Sequence, residues 1–291
     1  MAGLQIRELH PALGAEIRGL EPSIPLDEET LRQLRDVYNE RSVLVFPGLD
    51  IDEDFQRYLV FALIGLDPPA EHQEHAQRKG PMLVSNREEG GAAPYGRLLF
   101  HCDTMWADNP QPLLSLYGLE VGQPSVPTMF VSMVHAWETL PQHLKDRVAG
   151  LRARHGHEHS YPNRGGDENV IDAYYEDEVS TVMPVARVHP TTGKTTLYVS
   201  QQVTMNILDL PPEENEELLE ELFQHLYAEE NILRHDWKTG DLVIWDNQAA
   251  QHARGNVNLD GPERTLRKVF GPMKYDGIQT KTPSFSKIGQ M

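Results

Sequence analysis

The chain has little cysteine: Cys102 is the single one among 291 residues. One cysteine excludes an internal disulfide and any zinc site built from several cysteines. The chain also lacks an apolar run near the roughly 20 residues that span a bilayer, and its first residues lack the basic and apolar segments of a signal peptide. We therefore expect a soluble, reduced, cytoplasmic protein.

Basic residues are scarce relative to acidic ones, with 26 Lys and Arg against 44 Asp and Glu and a formal net charge of -18. A surface with this excess of negative charge repels nucleic-acid phosphates and anionic membrane surfaces. We expect no nucleic-acid partner and no membrane partner. A small-molecule substrate is the expected ligand, and a homo-oligomer is compatible with the sequence.

Short apolar segments separated by turns dominate the chain after its first 80 residues. They predict strands at 82–85, 98–103, 113–120, 127–135, 151–159, 183–189, 197–200, 241–245 and 266–270. Helical spacing of apolar residues predicts helices at 27–40, 52–64, 138–150 and 212–229. Many short strands favour a jelly-roll over alternating βαβ units. The predicted fold class is therefore mainly β with helical flanks (α+β), around a jelly-roll core.

The domain organisation predicted from the sequence is one domain over 1–291, since no repeat, low-complexity segment or clear linker divides the chain. Within it we expect a helical N-terminal flank at 1–70. The jelly-roll core would cover 80–273, with an insert at about 136–190, and a polar tail would follow at 275–291.

The segment 98–106 has the composition of a buried strand and carries two candidate metal ligands. On a strand, residues two apart share a face, so His101 and Asp103 would project together while Cys102 turns to the other side. One imidazole and one carboxylate cannot hold a catalytic metal alone. The prediction therefore requires a third ligand elsewhere in the chain.

The segment 240–252 offers that ligand, because it reads as a turn, a buried strand and a polar elbow that ends at His252. Two imidazoles and one carboxylate are the ligands of non-heme iron(II) oxygenases, in which the remaining metal positions stay open. The same three side chains could also hold zinc, so they do not name the metal.

A longer pattern extends this set. It consists of His101-x-Asp103, then Thr128 at 25 residues past the Asp, then Trp245-Asp246-Asn247-x-x-x-Gln251-His252, then Arg264 at 12 past the second His. Over roughly residues 30–272 the chain resembles the taurine dioxygenase (TauD/TfdA) family of iron(II)- and 2-oxoglutarate-dependent dioxygenases. The combination is far more specific than a lone His-x-Asp.

The resemblance implies a double-stranded β-helix core and a defined set of site residues. Fe(II) would be bound by His101, Asp103 and His252, and 2-oxoglutarate by Thr128 and Arg264, whose guanidinium would grip a carboxylate as a fork. The implied enzyme uses O2, releases succinate and CO2, and hydroxylates a C–H bond. Because Asp103 stands where related halogenases have a small residue, hydroxylation is favoured over halogenation.

The resemblance also implies substrate-binding positions, at Arg97, Ser160, Tyr161, Lys268 and His72. Sulfonate-cleaving members of the family have an arginine where this chain has Lys268. Lysine is a point charge that lacks the planar grip of arginine, which argues against taurine. Arg97 would supply a cation near the metal, so we expect a small anionic or zwitterionic substrate.

Other interpretations remain open from the residues alone. His155, His157 and His159 alternate on a predicted strand and could form a metal site of their own. A zinc-dependent hydrolase that uses this cluster or the triad is therefore the alternative function, and an inactive jelly-roll binding protein is a third. Thr128 could be an ordinary strand threonine and Arg264 a surface arginine.

Overall fold

The computed structural model describes residues 3–68, 81–156, 171–174, 180–272 and 284–287, and it gives the backbone alone for 171–174 and 284–287. The helices in these ranges are α1 (Glu28–Arg41), α2 (Glu53–Leu63), α3 (Met133–Thr139), α4 (Gln142–Val148) and α5 (Pro212–Leu226), followed by a 3-10 turn at Glu229–Asn231. The strands are β1 (Gln5–Glu8), β2 (Ala15–Arg18), β3 (Val43–Phe46), β4 (Met82–Ser85), β5 (Gly96–His101), β6 (Leu113–Val121), β7 (Thr128–Ser132), β8 (Arg152–Gly156), β9 (Ile171–Tyr174), β10 (Ser180–Pro184), β11 (Ala186–Val188), β12 (Thr195–Leu197), β13 (Thr204–Ile207), β14 (Leu233–His235), β15 (Leu242–Asp246), β16 (Ala250–Val257), β17 (Arg264–Phe270) and β18 (Ser284–Lys287).

The first two helices begin where the sequence predicts, because each has an acidic N-cap. The Asp27 carboxylate accepts a hydrogen bond from the Thr30 amide at 2.9 Å, and Asp52 accepts from the Phe55 amide at 2.8 Å. Such caps satisfy amide groups that have no partner within the helix. The predicted helices at 27–40 and 52–64 are confirmed as α1 and α2.

The larger sheet has the strand order β1-β2-β3-β15-β6-β17-β4 and is covered on one face by α1 and α2. Along β15, Leu242 and Ile244 pack against these helices, while Val243 and Trp245 face the opposite side of the sheet. Alternation along a strand sends successive side chains to opposite faces. Both faces are apolar here because both are buried.

The smaller sheet, in the order β14-β7-β16-β5, packs on that opposite side. The core between the two sheets joins residues of β15 and β17 to residues of β7 and β16, with Trp245 against Phe130 at a ring-centroid distance of 5.4 Å. Helices α3, α4 and α5 cover the outer face of the smaller sheet. Two facing sheets with helical flanks confirm the predicted jelly-roll core of a mainly β protein.

Two of the predicted elements, at 127–135 and 138–150, are wrong. The strand predicted at 127–135 ends at Ser132, whose hydroxyl accepts from the His135 amide at 3.1 Å and begins α3. The helix predicted at 138–150 is instead the pair α3 and α4, because the residue before Pro141 is sterically disfavoured in the α conformation.

Other boundaries also differ from the sequence prediction. The segment 183–189 is divided between β10 and β11, and the strand predicted at 197–200 lies at Thr195–Leu197. The strand predicted at 151–159 is observed as β8, and its last three predicted residues lie outside the described ranges. The elbow predicted to end at His252 is shorter than expected: a turn at 247–249 leads into β16, which contains that histidine. Among the described residues, the helices are too short or too polar to cross a bilayer.

Candidate active site

The two histidines are brought together by the pairing of β5, an edge strand of the smaller sheet, with its neighbour β16. His252 lies directly opposite His101 in this antiparallel pair. Their ring centroids are 4.2 Å apart. Residues that face each other across two strands have side chains close enough to act on one atom. The pairing register therefore fixes both imidazoles.

Asp103 lies beside the two histidines, but the backbone that positions it differs from the prediction. Strand β5 ends at His101, and Asp103 lies in the turn that follows, so strand alternation does not position it. The side chain of Asn247 holds this turn: it accepts from the Asp103 amide at 3.0 Å and donates to the Asp103 carbonyl at 2.8 Å. Cys102 does point to the other side, as expected, with its Sγ 3.6 Å from the Ala250 carbonyl. The role of Asn247 was missed, although this residue belongs to the motif.

The three side chains present their donor atoms to one small space. Oδ1 of Asp103 lies 3.3 Å from Nε2 of His101 and 3.8 Å from Nε2 of His252, and all three ligand atoms lie within 4.8 Å of one another. Nδ1 of His101 lies 2.7 Å from the Leu99 carbonyl. A carbonyl only accepts, so this contact places the proton on Nδ1 and leaves the Nε2 lone pair for a metal.

The electrostatics of the triad also suit a divalent cation. Burial, together with the neighbouring His101, lowers the pKa of His252 well below its ordinary value, which keeps that imidazole neutral. Burial alone would raise the pKa of Asp103, but the Lys268 ammonium and the two histidines outweigh it and hold the pKa well below its usual range. A neutral imidazole and an ionised carboxylate are the forms that bind metal.

A second polar site lies between the sheets. Arg264 is buried, and its Nη2 lies 3.5 Å from Oγ1 of Thr128, while its Nε has no hydrogen-bond partner in the part of the chain that the structure describes. Oγ1 of Thr128 also accepts from Nε1 of Trp237 at 2.9 Å. Burial, aided by Arg254, lowers the pKa of Arg264 to about 9, so the guanidinium remains charged at neutral pH. The surface interpretation of Arg264 is wrong.

The comparison with known families settles what kind of protein carries these two sites. Residues 5–270 match the family model described as "Taurine catabolism dioxygenase TauD, TfdA family". The chain belongs to this family. Members of the TauD/TfdA family are 2-oxoglutarate-dependent dioxygenases, so the chain is an enzyme of that class, and the family implies 2-oxoglutarate and O2 as co-substrates.

Similar proteins cover nearly the whole chain. An alkylsulfatase of Acinetobacter baylyi is 28% identical over 272 residues, which are 91% of this chain and 84% of that protein. The alpha-ketoglutarate-dependent 2,4-dichlorophenoxyacetate dioxygenase of Cupriavidus pinatubonensis is 27% identical over 286 residues, 90% of this chain and 95% of that protein.

Solved structures share the fold. A taurine dioxygenase from Burkholderia xenovorans superimposes with a TM-score of 0.70 at 22% identity, over 93% of this chain and 91% of that one. The structure of AAD-2 in complex with Mn(II) and N-oxalylglycine gives a TM-score of 0.72 at 24% identity, over 94% of this chain and 99% of that one.

A buried arginine that the sequence analysis missed stands beside the second site of this dioxygenase. Arg254 on β16 donates to the carbonyls of Ala93, Tyr95 and Gly96 at 2.7, 2.9 and 2.8 Å. Burial lowers its pKa to about 10. No sequence signal marks this residue, because its partners are backbone atoms that any residue type provides.

Of the five residues predicted to bind substrate, the structure describes two, Arg97 and Lys268. Arg97 lies half-buried on β5, two strand positions before Leu99 and four before His101, as expected if the strand extends that far. Lys268 on β17 contacts Oδ2 of Asp103 through its Nζ. His72, Ser160 and Tyr161 lie outside the described residues.

The histidine cluster of the alternative interpretation is represented by His155 alone, since His157 and His159 lie outside the described residues. His155 is buried, its Nδ1 lies 3.0 Å from Oγ1 of Thr204, and burial lowers its pKa to about 3. Within the described ranges, His101, Asp103 and His252 are the one group of three side chains that could hold a metal ion. The hydrolase interpretation is not favoured by this geometry or by the family.

Proposed function

We propose that this dioxygenase uses Fe(II), bound by His101, Asp103 and His252, to hydroxylate a C–H bond of a small anionic or zwitterionic molecule. Thr128 and Arg264 would bind 2-oxoglutarate. The observation that carries the proposal is the convergence of two imidazole nitrogens and one carboxylate oxygen within 4.8 Å. Two nitrogens and one oxygen on one side of a metal leave its other positions open, as non-heme iron(II) oxygenases require.

The iron would supply the oxidative chemistry: oxygen activation coupled to decarboxylation of 2-oxoglutarate, which yields succinate and CO2. The chain itself holds the three side chains in largely buried positions. The His101 tautomer is set by the Leu99 carbonyl, and the Asp103 turn is set by Asn247. Residues that orient ligands in this way raise metal affinity and restrict its geometry.

Binding of 2-oxoglutarate at Arg264 is supported by charge as well as by position. Arg264 and Arg254 are both buried, and the positive charge of Arg254 adds to burial in lowering the pKa of Arg264. Neither forms an ion pair with any residue that the structure describes. A buried cation without a counter-ion is costly, and a dicarboxylate would supply the missing negative charge. A fork of parallel N–H groups is the geometry that a carboxylate matches.

Thr128 supports the same ligand through its hydroxyl. A hydroxyl accepts up to two hydrogen bonds and donates one. Trp237 and Arg264 both approach Oγ1 as donors. Its own hydrogen is accepted by none of the described residues, so it can be given to a carboxylate of the ligand. The hydroxyl thus completes a small set of donors around one anion.

The substrate class rests on charge near the metal and on relatives. Arg97 and Lys268 place cations on the strands that carry the site. Among similar proteins, one is named for 2,4-dichlorophenoxyacetate, one for phenoxypropionate and one is an alkylsulfatase. These names all denote anionic groups, so carboxylates and sulfate esters head our list of substrates. His72, Ser160 and Tyr161 remain proposed as pocket residues.

The test is succinate formation from 2-oxoglutarate by purified protein with iron(II), ascorbate and oxygen, against a panel of phenoxyalkanoates, alkyl sulfates and taurine. We expect turnover that requires iron and disappears in Asp103→Ala. The matched control is Cys102→Ala, which alters the adjacent side chain on the far side of the same turn and should retain turnover. Stimulation by one compound class would identify the substrate. Failure to bind iron(II) and 2-oxoglutarate, with zinc-dependent hydrolysis instead, would overturn the proposal.

A further inference from the structure

The two oxygens of the Asp103 carboxylate have different neighbours. Oδ1 faces the Nε2 atoms of both histidines, whereas Oδ2 is contacted by Nζ of Lys268. Both side chains of this ion pair are largely buried, with 18% of Asp103 and 16% of Lys268 exposed. Solvent therefore screens the pair little. One oxygen is directed to the metal position and the other is held by an ammonium group.

We propose that Lys268 is a positioning residue that keeps Asp103 bound to the metal through one oxygen only. The inference rests on the proposed function of the triad as a metal site. A carboxylate can bind a cation through one oxygen or through both. With its second oxygen held by Lys268, Asp103 offers Oδ1 alone.

The number of open metal positions makes this restraint important. A six-coordinate metal with three protein ligands keeps three positions, two for the chelating 2-oxoglutarate and one for oxygen. If Asp103 bound through both oxygens, it would occupy one of these three. Lys268 would thus protect the position on which co-substrate binding depends.

Lysine suits this task better than arginine. An arginine fork engages both oxygens of a carboxylate at once, whereas an ammonium is a compact point charge that can rest on one oxygen. An arginine here would compete with the metal for Oδ1. The departure from the arginine of sulfonate-cleaving relatives therefore has a structural use in this chain.

The neighbouring cations of β17 have separate tasks. Arg264, four residues earlier, lies against Thr128. Arg267 points to the other face of the sheet, where its Nε donates to Oε1 of Gln56 at 2.7 Å and its guanidinium lies 4.8 Å from the ring centroid of Tyr117. Lys268 is the cation of this strand that meets the triad, and Arg267 cannot replace it.

The experiment uses Mn(II), followed by the EPR signal of the free ion, with wild type, Lys268→Met and Lys268→Arg. Removal of the positive charge should tighten Mn(II) binding on the order of tenfold, because the metal no longer competes with an ammonium for Asp103. The same variant, loaded with Mn(II), should bind 2-oxoglutarate on the order of tenfold more weakly. Lys268→Arg should weaken Mn(II) binding.

A crystal structure of the Mn(II) form of Lys268→Met should show both Asp103 oxygens on the metal, against one in wild type. Unchanged Mn(II) and 2-oxoglutarate affinities in both variants, or one-oxygen coordination in Lys268→Met, would overturn the inference and leave Lys268 as a substrate contact alone. If wild type binds neither Mn(II) nor 2-oxoglutarate, the proposed function itself fails. The two failures are therefore distinguishable.

Discussion

Two buried guanidinium groups lie on adjacent regions of the sandwich, Arg254 on β16 and Arg264 on β17, with opposite surroundings. Arg254 donates its N–H groups to the carbonyls of Ala93, Tyr95 and Gly96, at the start of β5, the strand that ends at His101. Arg264 has one long contact to Thr128. The buried Nε of each arginine lacks a partner among the described residues, so the two differ in the contacts of their terminal N–H groups.

The difference agrees with the roles proposed for them, a structural one for Arg254 and a ligand-binding one for Arg264. Neither group meets a carboxylate among the described residues, but backbone carbonyls largely satisfy the first. The second has hydrogen-bonding capacity left over, which the proposed function assigns to 2-oxoglutarate. A buried polar group left in this state lowers stability, so its retention indicates a function outside folding.

The largest effect that this comparison predicts is on ligand affinity. Arg264→Met should weaken 2-oxoglutarate binding to the metal-loaded protein on the order of a thousandfold, since a bidentate charged contact is lost. The free energy of unfolding of the unliganded protein should not fall, because an unpaired buried charge is removed. Calorimetric titration and urea unfolding measure the two quantities. If Arg264→Met lost much stability but still bound 2-oxoglutarate, Arg264 would be a structural arginine and not the ligand-binding one.

The second prediction concerns stability rather than binding. Arg254→Met leaves three carbonyls without their donor, and the free energy of unfolding should fall by about 3 kcal/mol. Urea unfolding measures the change, with Arg264→Met as the matched control of the same type and burial. If Arg254→Met unfolds at the same urea concentration as wild type, the three hydrogen bonds are not what anchors residues 93–96 at the start of β5.

The smallest effect should come from removal of the Thr128 hydroxyl, which contacts Arg264. Thr128→Val keeps the shape of the side chain but removes the donor, so 2-oxoglutarate affinity should fall about tenfold. The indole of Trp237 also loses its acceptor, so a stability loss of about 1 kcal/mol should accompany it. Thr128→Ser retains the hydroxyl and should keep most of the 2-oxoglutarate affinity and most of the stability of wild type. Equal behaviour of valine and serine would exclude a role for the hydroxyl.

The three side chains that could hold a metal were found from the sequence because their residue types and spacing are constrained together. The backbone conformation that brings them together was predicted less well. Asp103 was assigned to a strand, but β5 ends at His101 and a turn clamped by Asn247 delivers the carboxylate. That clamp depends on two backbone groups, which leave no trace in residue type.

Strand β16 escaped prediction for a related reason. Its buried residues include Gln251, His252 and Arg254, so the usual apolar alternation of a core strand is absent. Each finds a partner or function inside the fold: Gln251, for example, donates to the Val199 carbonyl at 2.6 Å and accepts from the Tyr227 hydroxyl at 2.8 Å. Hydrophobic pattern alone cannot identify a strand whose interior is hydrogen-bonded.

The clamp between Asn247 and Asp103 joins residues 144 positions apart in the chain. Contacts of such separation carry a high loop-closure cost and depend on the assembled sheets, so the unfolded chain has no preformed metal site. A metal that binds the folded chain alone stabilises it by mass action, by roughly 2.7 kcal/mol at a free concentration 100 times the Kd. With the proposed iron as that metal, iron supply would govern how long the protein survives cellular proteolysis, and iron starvation would reduce its abundance as well as its catalytic activity.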